Sequence, residues 1–292
     1  MYHEITGHTG FTALLGHPVA HSISPQMHNE AFRLLGLDFV YLAFDVQPQQ
    51  LKEAFEGLKA VHIQGFNLTM PLKTAILPYL DGLTPSARLA GAVNTVFCQE
   101  DRYIGHNTDG IGYMQSVADQ GCQIIGKKMT LLGAGGAATA ICAQAALDGV
   151  SSIDMFKRKN ASFSETEAFC QRIAADTGCL IRLLDIEDKD LLADSLKDSA
   201  ILTNATNVGM APHTDQSILP DASLLPPHVI VSDIIYNPRE TLLMQQAREA
   251  GCRAFNGLYM LLFQGAAAFR CWTGQEMPVE QIRKKYFITE RI

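Results

Sequence analysis

A chain of 292 residues with 47% hydrophobic and 18% charged side chains is long enough to form two globular domains. Its net charge of -7, the lack of a basic stripe and the lack of an apolar run near the roughly 20 residues that span a bilayer argue against nucleic acid or membrane as a partner. Seven cysteines without a CxxC pair, no metal-ligand spacing and no secretory signal predict reduced thiols, no metal site and a cytoplasmic location.

In the first third of the chain, short apolar runs alternate with helical patterns. The predicted strands are residues 12–16, 39–44 and 61–67. The first helix is predicted to begin with Ser24 as its cap and to end at Gly36, and a second helix is predicted to begin at Pro48. This alternation predicts an α/β fold with parallel sheets.

The same alternation continues from about Ile111, where a second layered unit is predicted to begin. Its predicted strands are residues 129–133, 152–156, 200–205 and 229–234, and its predicted helices are residues 137–148 and 239–250. The acidic stretch 185–198 is interpreted as a solvated helix face and its loop.

A glycine-rich turn joins a predicted buried strand to the helix that follows it. Gly133, Gly135 and Ala138 form a GxGxxA pattern. The first glycine permits the tight turn, the second lets the backbone approach a pyrophosphate, and the alanine allows close packing of helix on strand. Because a helix N-terminus faces the anion in such turns, the pattern predicts a dinucleotide cofactor.

The end of the next strand bears on which dinucleotide is bound. An acidic residue there accepts a hydrogen bond from a ribose 2′-hydroxyl, whereas basic residues accommodate a 2′-phosphate. The residues here are Lys157, Arg158, Lys159 and Asn160. Three cations favour NADP, but Asn160 is able to hydrogen-bond a ribose hydroxyl, so NAD stays open.

Four polar clusters are predicted to lie where strands of the first third end, at residues 21–25, 67–73, 91–96 and 105–112. Open α/β sheets bind ligands at the carboxyl ends of their strands. The hydroxyl and amide groups that suit a small acid with several hydroxyls are those of Ser22, Ser24, Asn67, Thr69 and Asn94.

Lys73 and Asp109 are the pair that is able to carry chemistry. Reduction of a ketone by hydride requires a proton at the developing alkoxide, and an ammonium group supplies one. A neighbouring carboxylate would orient the amine. The alternative interpretation is a structural ion pair that bridges two loops.

Seven motifs, in this order along the chain, resemble those of the shikimate dehydrogenase family, in particular its quinate/shikimate dehydrogenase branch: HSISP, NLTMPLK, AGAVNT, GHNTDG, GAGGAA, NATNVGM and GLYMLLFQGAAAF. The resemblance implies an N-terminal α/β substrate domain, residues 1–110, and a C-terminal Rossmann dinucleotide-binding domain, residues 111–256. It also implies that residues 257–292 pack back onto the first domain and that catalysis takes place in the cleft between the domains.

The same resemblance implies roles for individual residues. Lys73 would be the acid-base residue with Asp109 as its partner, and Ser22 and Ser24 would bind the substrate carboxylate. The residues expected around the hydroxylated ring are Thr69, Lys73, Asn94, Asp109 and Gln264, with Tyr236 as an added contact. The expected cofactor ligands are Gly133, Ala134, Gly135, Gly136 and Ala137 at the pyrophosphate, residues 157–160 at the adenosine ribose, and Asn207, Ile234, Tyr236 and Gly257 at the nicotinamide half.

The implied reaction is the NAD(P)-dependent, reversible reduction of 3-dehydroshikimate to shikimate, a step toward chorismate and the aromatic amino acids. One alternative is a quinate/shikimate dehydrogenase that uses mainly NAD and oxidises quinate. A second is a ligand-sensing regulator without turnover, which the complete pair of Lys73 and Asp109 disfavours. The expected partner is a small molecule, and both a monomer and a homodimer stay open.

Overall fold

The computed structural model describes residues 4–287, and its contacts divide the chain into two units. The first unit combines the residues up to Gly112 with those from Leu262 onward, and the second comprises Tyr113–Leu261. The sequence placed the corresponding boundaries at 110/111 and 256/257. Within the described range, every helix is too short or too polar to cross a bilayer.

The first unit contains a six-stranded mixed sheet in the strand order β2-β1-β3-β5-β6-β4. Its strands are β1 (Gly10–Gly16), β2 (Phe39–Asp45), β3 (Gly65–Leu68), β4 (Gly82–Leu83), β5 (Thr95–Gln99) and β6 (Arg102–His106). Strand β1 pairs in parallel with β2 and β3, whereas β5 is antiparallel to both β3 and β6.

The second unit contains a six-stranded parallel sheet in the order β12-β11-β10-β7-β8-β9. Its strands are β7 (Lys128–Leu132), β8 (Ser152–Lys157), β9 (Leu180–Asp185), β10 (Ser199–Asn204), β11 (Ile230–Asp233) and β12 (Ala254–Phe255). All of its strand pairs are parallel, as an alternation of strands and helices requires.

The α-helices connect these strands. They are α1 (Ser24–Leu35), α2 (Leu51–Ala60), α3 (Leu72–Ala75), α4 (Pro85–Ala90), α5 (Asp109–Asp119), α6 (Gly136–Leu147), α7 (Phe163–Thr177), α8 (Lys189–Leu196), α9 (Leu242–Glu249), α10 (Leu258–Thr273) and α11 (Val279–Ile282). Both boundaries between the units fall inside helices, one in α5 and one in α10. The predicted α/β class is confirmed.

The antiparallel hairpin of β5 and β6 corrects the expectation of purely parallel sheets. Its two-residue turn consists of Glu100 and Asp101, which have φ angles of 52° and 59°. Positive φ at both central residues is the conformation of the tight hairpin turn that asparagine and glycine normally favour. The sequence has neither residue here, so the local signal for a hairpin was missing.

Three smaller predictions are corrected in the first unit. Ser24 is the first residue of α1 and not its cap, because Ile23 occupies the cap position. The predicted strand over residues 61–67 begins only at Gly65, since a turn through His62 with φ of 58° follows α2. Pro48 begins a single 3-10 turn that leads into α2. As predicted, Gly36 ends α1, with φ of 66°.

An aromatic cluster packs α1 and α10 against the sheet of the first unit. The His28 ring lies 4.5 Å from the Tyr41 ring, nearly parallel to it, and 5.1 Å from the Trp272 ring. The indole nitrogen of Trp272 donates a hydrogen bond of 2.9 Å to the carbonyl oxygen of Val96. A Cβ atom at Gly65 would overlap this indole, so a glycine on β3 makes room for the cluster.

His28 is fully buried, and neither of its ring nitrogens has a hydrogen-bond partner among the described residues. Burial disfavours the imidazolium and lowers the pKa of His28 from 6.5 to about 3. The folded chain therefore keeps this ring neutral at pH values where an unfolded chain would protonate it.

This difference predicts a pH dependence of stability. Between pH 6.5 and about 3 the unfolded chain binds one more proton at His28 than the folded chain, so stability falls as pH falls through this window. One group contributes at most about 1.4 kcal/mol per pH unit. In His28→Phe, which keeps a flat ring but cannot titrate, we expect the urea midpoint to change less between pH 7 and pH 4.5 than in the wild type.

The control is His8→Phe, which removes a histidine from an exposed position of the same unit. An equal loss of stability with falling pH in His28→Phe and in the wild type would contradict the assignment.

Candidate active site

The short helix α3 and the start of α5 bring Lys73 and Asp109 together. The Lys73 ammonium donates a hydrogen bond of 2.5 Å to Oδ2 of Asp109, and the two side chains are 23% and 10% exposed. The side-chain oxygen of Asn107 accepts from the backbone amide of Asp109 at 3.0 Å, which fixes the first residue of α5. The carbonyl oxygen of Lys73 accepts from the amide of Val93 at 2.8 Å, which ties α3 to the segment before β5.

Asn94 holds the carboxylate of Asp109 from the other side. Its amide nitrogen donates to Oδ1 of Asp109 at 2.8 Å and to the Thr108 hydroxyl at 2.9 Å, and it lies 3.4 Å from Oε1 of Gln264. The side-chain oxygen of Asn94 accepts from the backbone amide of Thr108 at 2.7 Å. Both oxygens of Asp109 are therefore engaged, one by Lys73 and one by Asn94.

The mixed sheet corrects one premise of the sequence interpretation. The cluster at residues 91–96 was expected where a strand ends, but Asn94 directly precedes β5. Because β5 runs antiparallel to β3, its first residue, Thr95, pairs with Asn67 near the end of β3. Thr95 also pairs with His106 at the end of β6. The polar segments that contain Asn67, Asn94 and His106 thus meet at the same end of three neighbouring strands.

Both N–H groups of the Asn67 side chain already donate hydrogen bonds. Its amide nitrogen donates to the carbonyl oxygen of Asn94 at 3.1 Å and to the Thr95 hydroxyl at 3.0 Å. Its oxygen accepts from the Tyr41 hydroxyl at 2.8 Å. An amide oxygen has two lone pairs, so Asn67 retains only an acceptor site for a ligand.

The two serines of the HSISP segment lie at the start of α1. The Ser22 hydroxyl accepts from the backbone amide of Ser24 at 3.2 Å. Thr69 lies against the end of β1, where a Cβ atom at Gly16 would overlap its methyl group.

The first unit contains all but one of the residues predicted to bind substrate: Ser22, Ser24, Asn67, Thr69, Lys73, Asn94, Asp109 and Gln264. The hydrogen bonds of the site connect the side chains of Asn67, Lys73, Asn94, Asp109 and Gln264 to one another directly or through one further residue. Tyr236 belongs to the second unit, where its side chain is exposed. Substrate contact by these residues stays a prediction.

The glycine-rich turn fits the pyrophosphate of a dinucleotide. Gly133 has φ of 111°, and a Cβ atom there would lie 2.8 Å from the carbonyl oxygen of Ala205. Within residues 4–287, no neighbouring atom lies within 4 Å of the position that a Cβ would take at Gly135 or Gly136. Helix α6 begins at Gly136 without a side-chain cap, so its first amide groups are available to an anion.

In the basic turn after β8, one of the three cations is already engaged in hydrogen bonds within the chain. The Lys157 ammonium donates to the carbonyl oxygen of Ser162 at 2.8 Å, to its hydroxyl at 2.5 Å and to the Thr166 hydroxyl at 2.9 Å. This cation therefore holds its own loop together. The exposed residues of the turn are Arg158, Lys159 and Asn160.

The residues predicted at the nicotinamide half lie after β10, after β11 and before α10. Asn207 and Tyr236 are exposed, and Ile234 is partly buried. A Cβ atom at Gly257 would overlap the carbonyl oxygen of Ile234, so close packing of two backbone segments requires this glycine. Contact of these residues with a cofactor stays a prediction.

A buried polar network that the sequence interpretation missed fixes two of these loops. Asp233, at the end of β11, accepts from the Asn204 amide at 3.1 Å and from the Thr241 hydroxyl at 2.7 Å. Burial raises the pKa of Asp233 above 3.8. Asn204 and Asp233 end neighbouring strands, so the loops that carry Asn207 and Tyr236 leave the sheet from one fixed point. The signal for this network in the sequence was a polar residue at the end of each of two apolar strands.

Tyr41 was also missed, because it lies inside a predicted strand and not at its end. A buried tyrosine hydroxyl nearly always has a hydrogen-bond partner, and this rule was the available signal. Among residues 4–287, no group of three or more histidine, cysteine, aspartate or glutamate side chains is arranged to hold a metal ion.

Comparison with known proteins identifies the family of the chain. The family description "Shikimate dehydrogenase substrate binding domain" matches residues 14–96, and "Shikimate 5'-dehydrogenase C-terminal domain" matches residues 257–285. The chain is 50% identical to shikimate dehydrogenase (NADP(+)) of Listeria monocytogenes serotype 4b, over 97% of this chain and 98% of that protein. It is 42% identical to quinate/shikimate dehydrogenase of an Escherichia coli strain, over 96% of this chain and 98% of that protein.

A solved structure is similar over the same length. The crystal structure of shikimate 5-dehydrogenase from Listeria monocytogenes in complex with shikimate and NAD superposes with a TM-score of 0.93 at 50% identity, and the match covers 97% of this chain and 98% of that one. The predicted family and fold are confirmed, and the chain belongs to the shikimate dehydrogenase family.

Proposed function

We propose that this protein catalyses the NAD(P)-dependent, reversible reduction of 3-dehydroshikimate to shikimate, the step toward chorismate and the aromatic amino acids. The observation that carries the proposal is the Lys73 ammonium, 2.5 Å from Oδ2 of Asp109, whose other carboxylate oxygen accepts from Asn94. The relative of 50% identity is named shikimate dehydrogenase (NADP(+)), which supports the same substrate and the predicted enzyme class.

The chain's own residues supply the proton of this reaction. A bound nicotinamide cofactor supplies the hydride that reduces the carbonyl carbon. The Lys73 ammonium donates a proton to the carbonyl oxygen as it becomes an alkoxide, and in the oxidative direction the neutral amine accepts it. Asp109 orients the amine, and Asn94 prevents the carboxylate from turning away.

Binding of the substrate and the cofactor would use the groups already described. The hydroxyls of Ser22 and Ser24 suit the substrate carboxylate, and the remaining site residues of the first unit suit its ring hydroxyls. The pyrophosphate would lie at the turn from Gly133 to Ala137, with its charge facing the amide groups that begin α6. Arg158 and Lys159 would face a 2′-phosphate.

Oxidation of quinate with NAD is the second candidate function. The relative of 42% identity is named quinate/shikimate dehydrogenase, and the similar Listeria structure contains NAD. Two features of this chain favour NAD. The Lys157 ammonium is already hydrogen-bonded to Ser162 and Thr166. The same turn also contains the neutral Asn160. A regulator without turnover is disfavoured because the Lys73–Asp109 pair is complete.

An assay of two substrates against two cofactors tests the proposal. Purified protein with shikimate should reduce NADP faster than NAD, and shikimate should be preferred to quinate; reduced cofactor is followed by its absorbance. A dominant reaction of quinate with NAD would support the second candidate instead. No turnover with either acid from neutral to alkaline pH would reject both enzymatic functions.

The Lys73→Ala variant tests the assigned proton donor. General acid-base catalysis typically contributes about 10²- to 10⁴-fold, so we expect kcat to fall by that range while KM for shikimate changes less. The control is Lys52→Ala, which removes an exposed lysine from α2 of the same unit. A kcat near the wild-type value in Lys73→Ala would show that this residue is not the proton donor.

The double variant Arg158→Gln/Lys159→Gln tests the cofactor preference. Hydrogen bonds to charged groups contribute about 1.5 to 3 kcal/mol, so kcat/KM for NADP should fall by roughly ten-fold or more while that for NAD stays nearly constant. The matched control, Lys127→Gln/Lys189→Gln, removes the same charge from exposed positions of the same unit. An equal effect on both cofactors would reject a role in 2′-phosphate recognition.

A further inference from the structure

Within residues 4–287, the two sheets have four edge strands, and one of them lacks the usual protection. The backbone groups of an edge strand pair readily with another chain unless the strand is short, charged, bulged or covered. Strands β4 and β12 have only two residues each, and β9 contains the exposed Arg182. Strand β2 is seven residues long, and its register with β1 is unbroken.

The composition of β2 favours strand pairing. Its sequence is FVYLAFD, in which the first six residues include aromatic and branched side chains and neither a charge nor a proline. The side chains of Leu42 and Phe44 are 43% and 38% exposed. Uncharged segments of about six residues with high β-propensity are those that associate strand to strand when they are accessible. Protection of this edge must therefore come from another part of the chain.

Alternate residues of β2 direct their backbone groups away from β1. At the end of the strand the Val46 amide donates to the carbonyl oxygen of Gly16 at 2.9 Å, so the even-numbered residues of β2 face β1. In a parallel pair the intervening residues face the opposite side. The backbone groups of Tyr41 and Ala43 therefore lie on the open edge of β2.

The side chain of Asn29 in α1 covers part of this open edge. Its oxygen accepts a hydrogen bond from the Tyr41 amide at 2.8 Å, and its nitrogen donates to the Tyr41 carbonyl oxygen at 2.9 Å. A neighbouring strand would bond to the same two backbone groups. Another chain that paired with β2 at Tyr41 would have to displace Asn29.

The fold allows the Asn29 amide only one orientation. Its second N–H group donates to the carbonyl oxygen of Pro25 at 2.8 Å, in the first turn of α1. If the oxygen and nitrogen of the amide exchanged places, two donors would face each other at the Tyr41 amide and two acceptors at the Tyr41 carbonyl. Both N–H groups and the oxygen of Asn29 are thus engaged, and the side chain is fixed to α1 as well as to β2.

We propose that Asn29 prevents β2 from pairing with β2 of a second copy of this chain. Antiparallel pairing of a strand with its own copy is a closed two-fold arrangement, so the open edge of β2 is complementary to itself. The amide of Asn29 occupies the backbone groups of Tyr41 that such a pair would need. This role concerns self-association and does not depend on turnover of any substrate.

The Asn29→Ala variant tests the proposal. It removes both hydrogen bonds to the Tyr41 backbone and leaves the apolar side chains of β2 in place. We expect the mass measured by light scattering to rise with protein concentration to at least about two-fold that of the wild type, the value for pairing through one edge per copy. A mass equal to that of the wild type at every concentration would overturn the proposal.

A second substitution separates an open edge from a simple loss of stability. Leu42→Lys places a charge on β2, and a lysine on an edge strand disfavours pairing with another strand. The double variant Asn29→Ala/Leu42→Lys should return to the mass of the wild type, while its Tm should stay as low as that of Asn29→Ala. Association that persists in the double variant would reject pairing through β2.

The double variant Asn29→Ala/Leu180→Lys is the matched control. Leu180 is 72% exposed at the start of β9, so the same charge is added to a different edge strand. We expect this variant to associate as strongly as Asn29→Ala. Equal loss of association in both double variants would overturn the proposal, because it would indicate a general effect of charge on solubility.

Hydrogen exchange in the wild type tests the cover on the edge without any substitution. The Tyr41 amide is hydrogen-bonded to Asn29, whereas the Ala43 amide lies on the same open edge of β2 beyond the reach of that side chain's two bonds. The Tyr41 amide should exchange about ten-fold more slowly or more. Equal exchange of the two amides would refute the role of Asn29, and this result decides the question even if Asn29→Ala does not fold.

Discussion

The first unit depends on holding one ammonium and one carboxylate together with little water around them. Taking each ion out of water costs several kcal/mol, and a close pair offsets this cost only when further hydrogen bonds complete it. Asp109 meets that condition, because one oxygen faces Lys73 and the other accepts from Asn94. Asn94 is in turn fixed by the backbone amide of Thr108. The position of the carboxylate is therefore set by the fold as well as by the ion pair.

The antiparallel hairpin makes this arrangement possible. In a purely parallel sheet, the polar segments at one edge all follow their strands, and side chains from neighbouring loops approach from the same direction. Here β5 begins where β3 and β6 end, so Asn94 enters the site from before its strand. It thereby reaches Asn67 through its carbonyl oxygen and Asp109 through its side chain. The antiparallel strand β5 thus allows Asn94 to connect Asn67 and Asp109 in one hydrogen-bond network.

The sequence was sufficient for the α/β class, the glycine-rich turn and the Lys73–Asp109 pair, since each has a local or motif signal. It was not sufficient for the hairpin, whose turn through Glu100 and Asp101 lacks the usual residues. Nor did it indicate the roles of Tyr41 and Asn67. Their hydrogen bond joins residues 26 positions apart, so it exists only once the strands have paired. Partners of this kind depend on tertiary structure and leave no periodic trace in a single chain.

The basic turn is a second case in which the sequence alone was not sufficient, because it does not show which cations are available to a phosphate. Three consecutive cations favour a 2′-phosphate when they are counted in the sequence. In the fold, however, the hydrogen bonds of Lys157 to Ser162 and Thr166 direct its charge into its own loop. The turn then presents Arg158 and Lys159 to solvent beside a neutral Asn160, whose oxygen accepts from the Ser162 amide. Discrimination between NADP and NAD therefore depends on two exposed cations whose attraction for a phosphate is screened by water, and a turn of this kind favours one cofactor by degree and does not exclude the other.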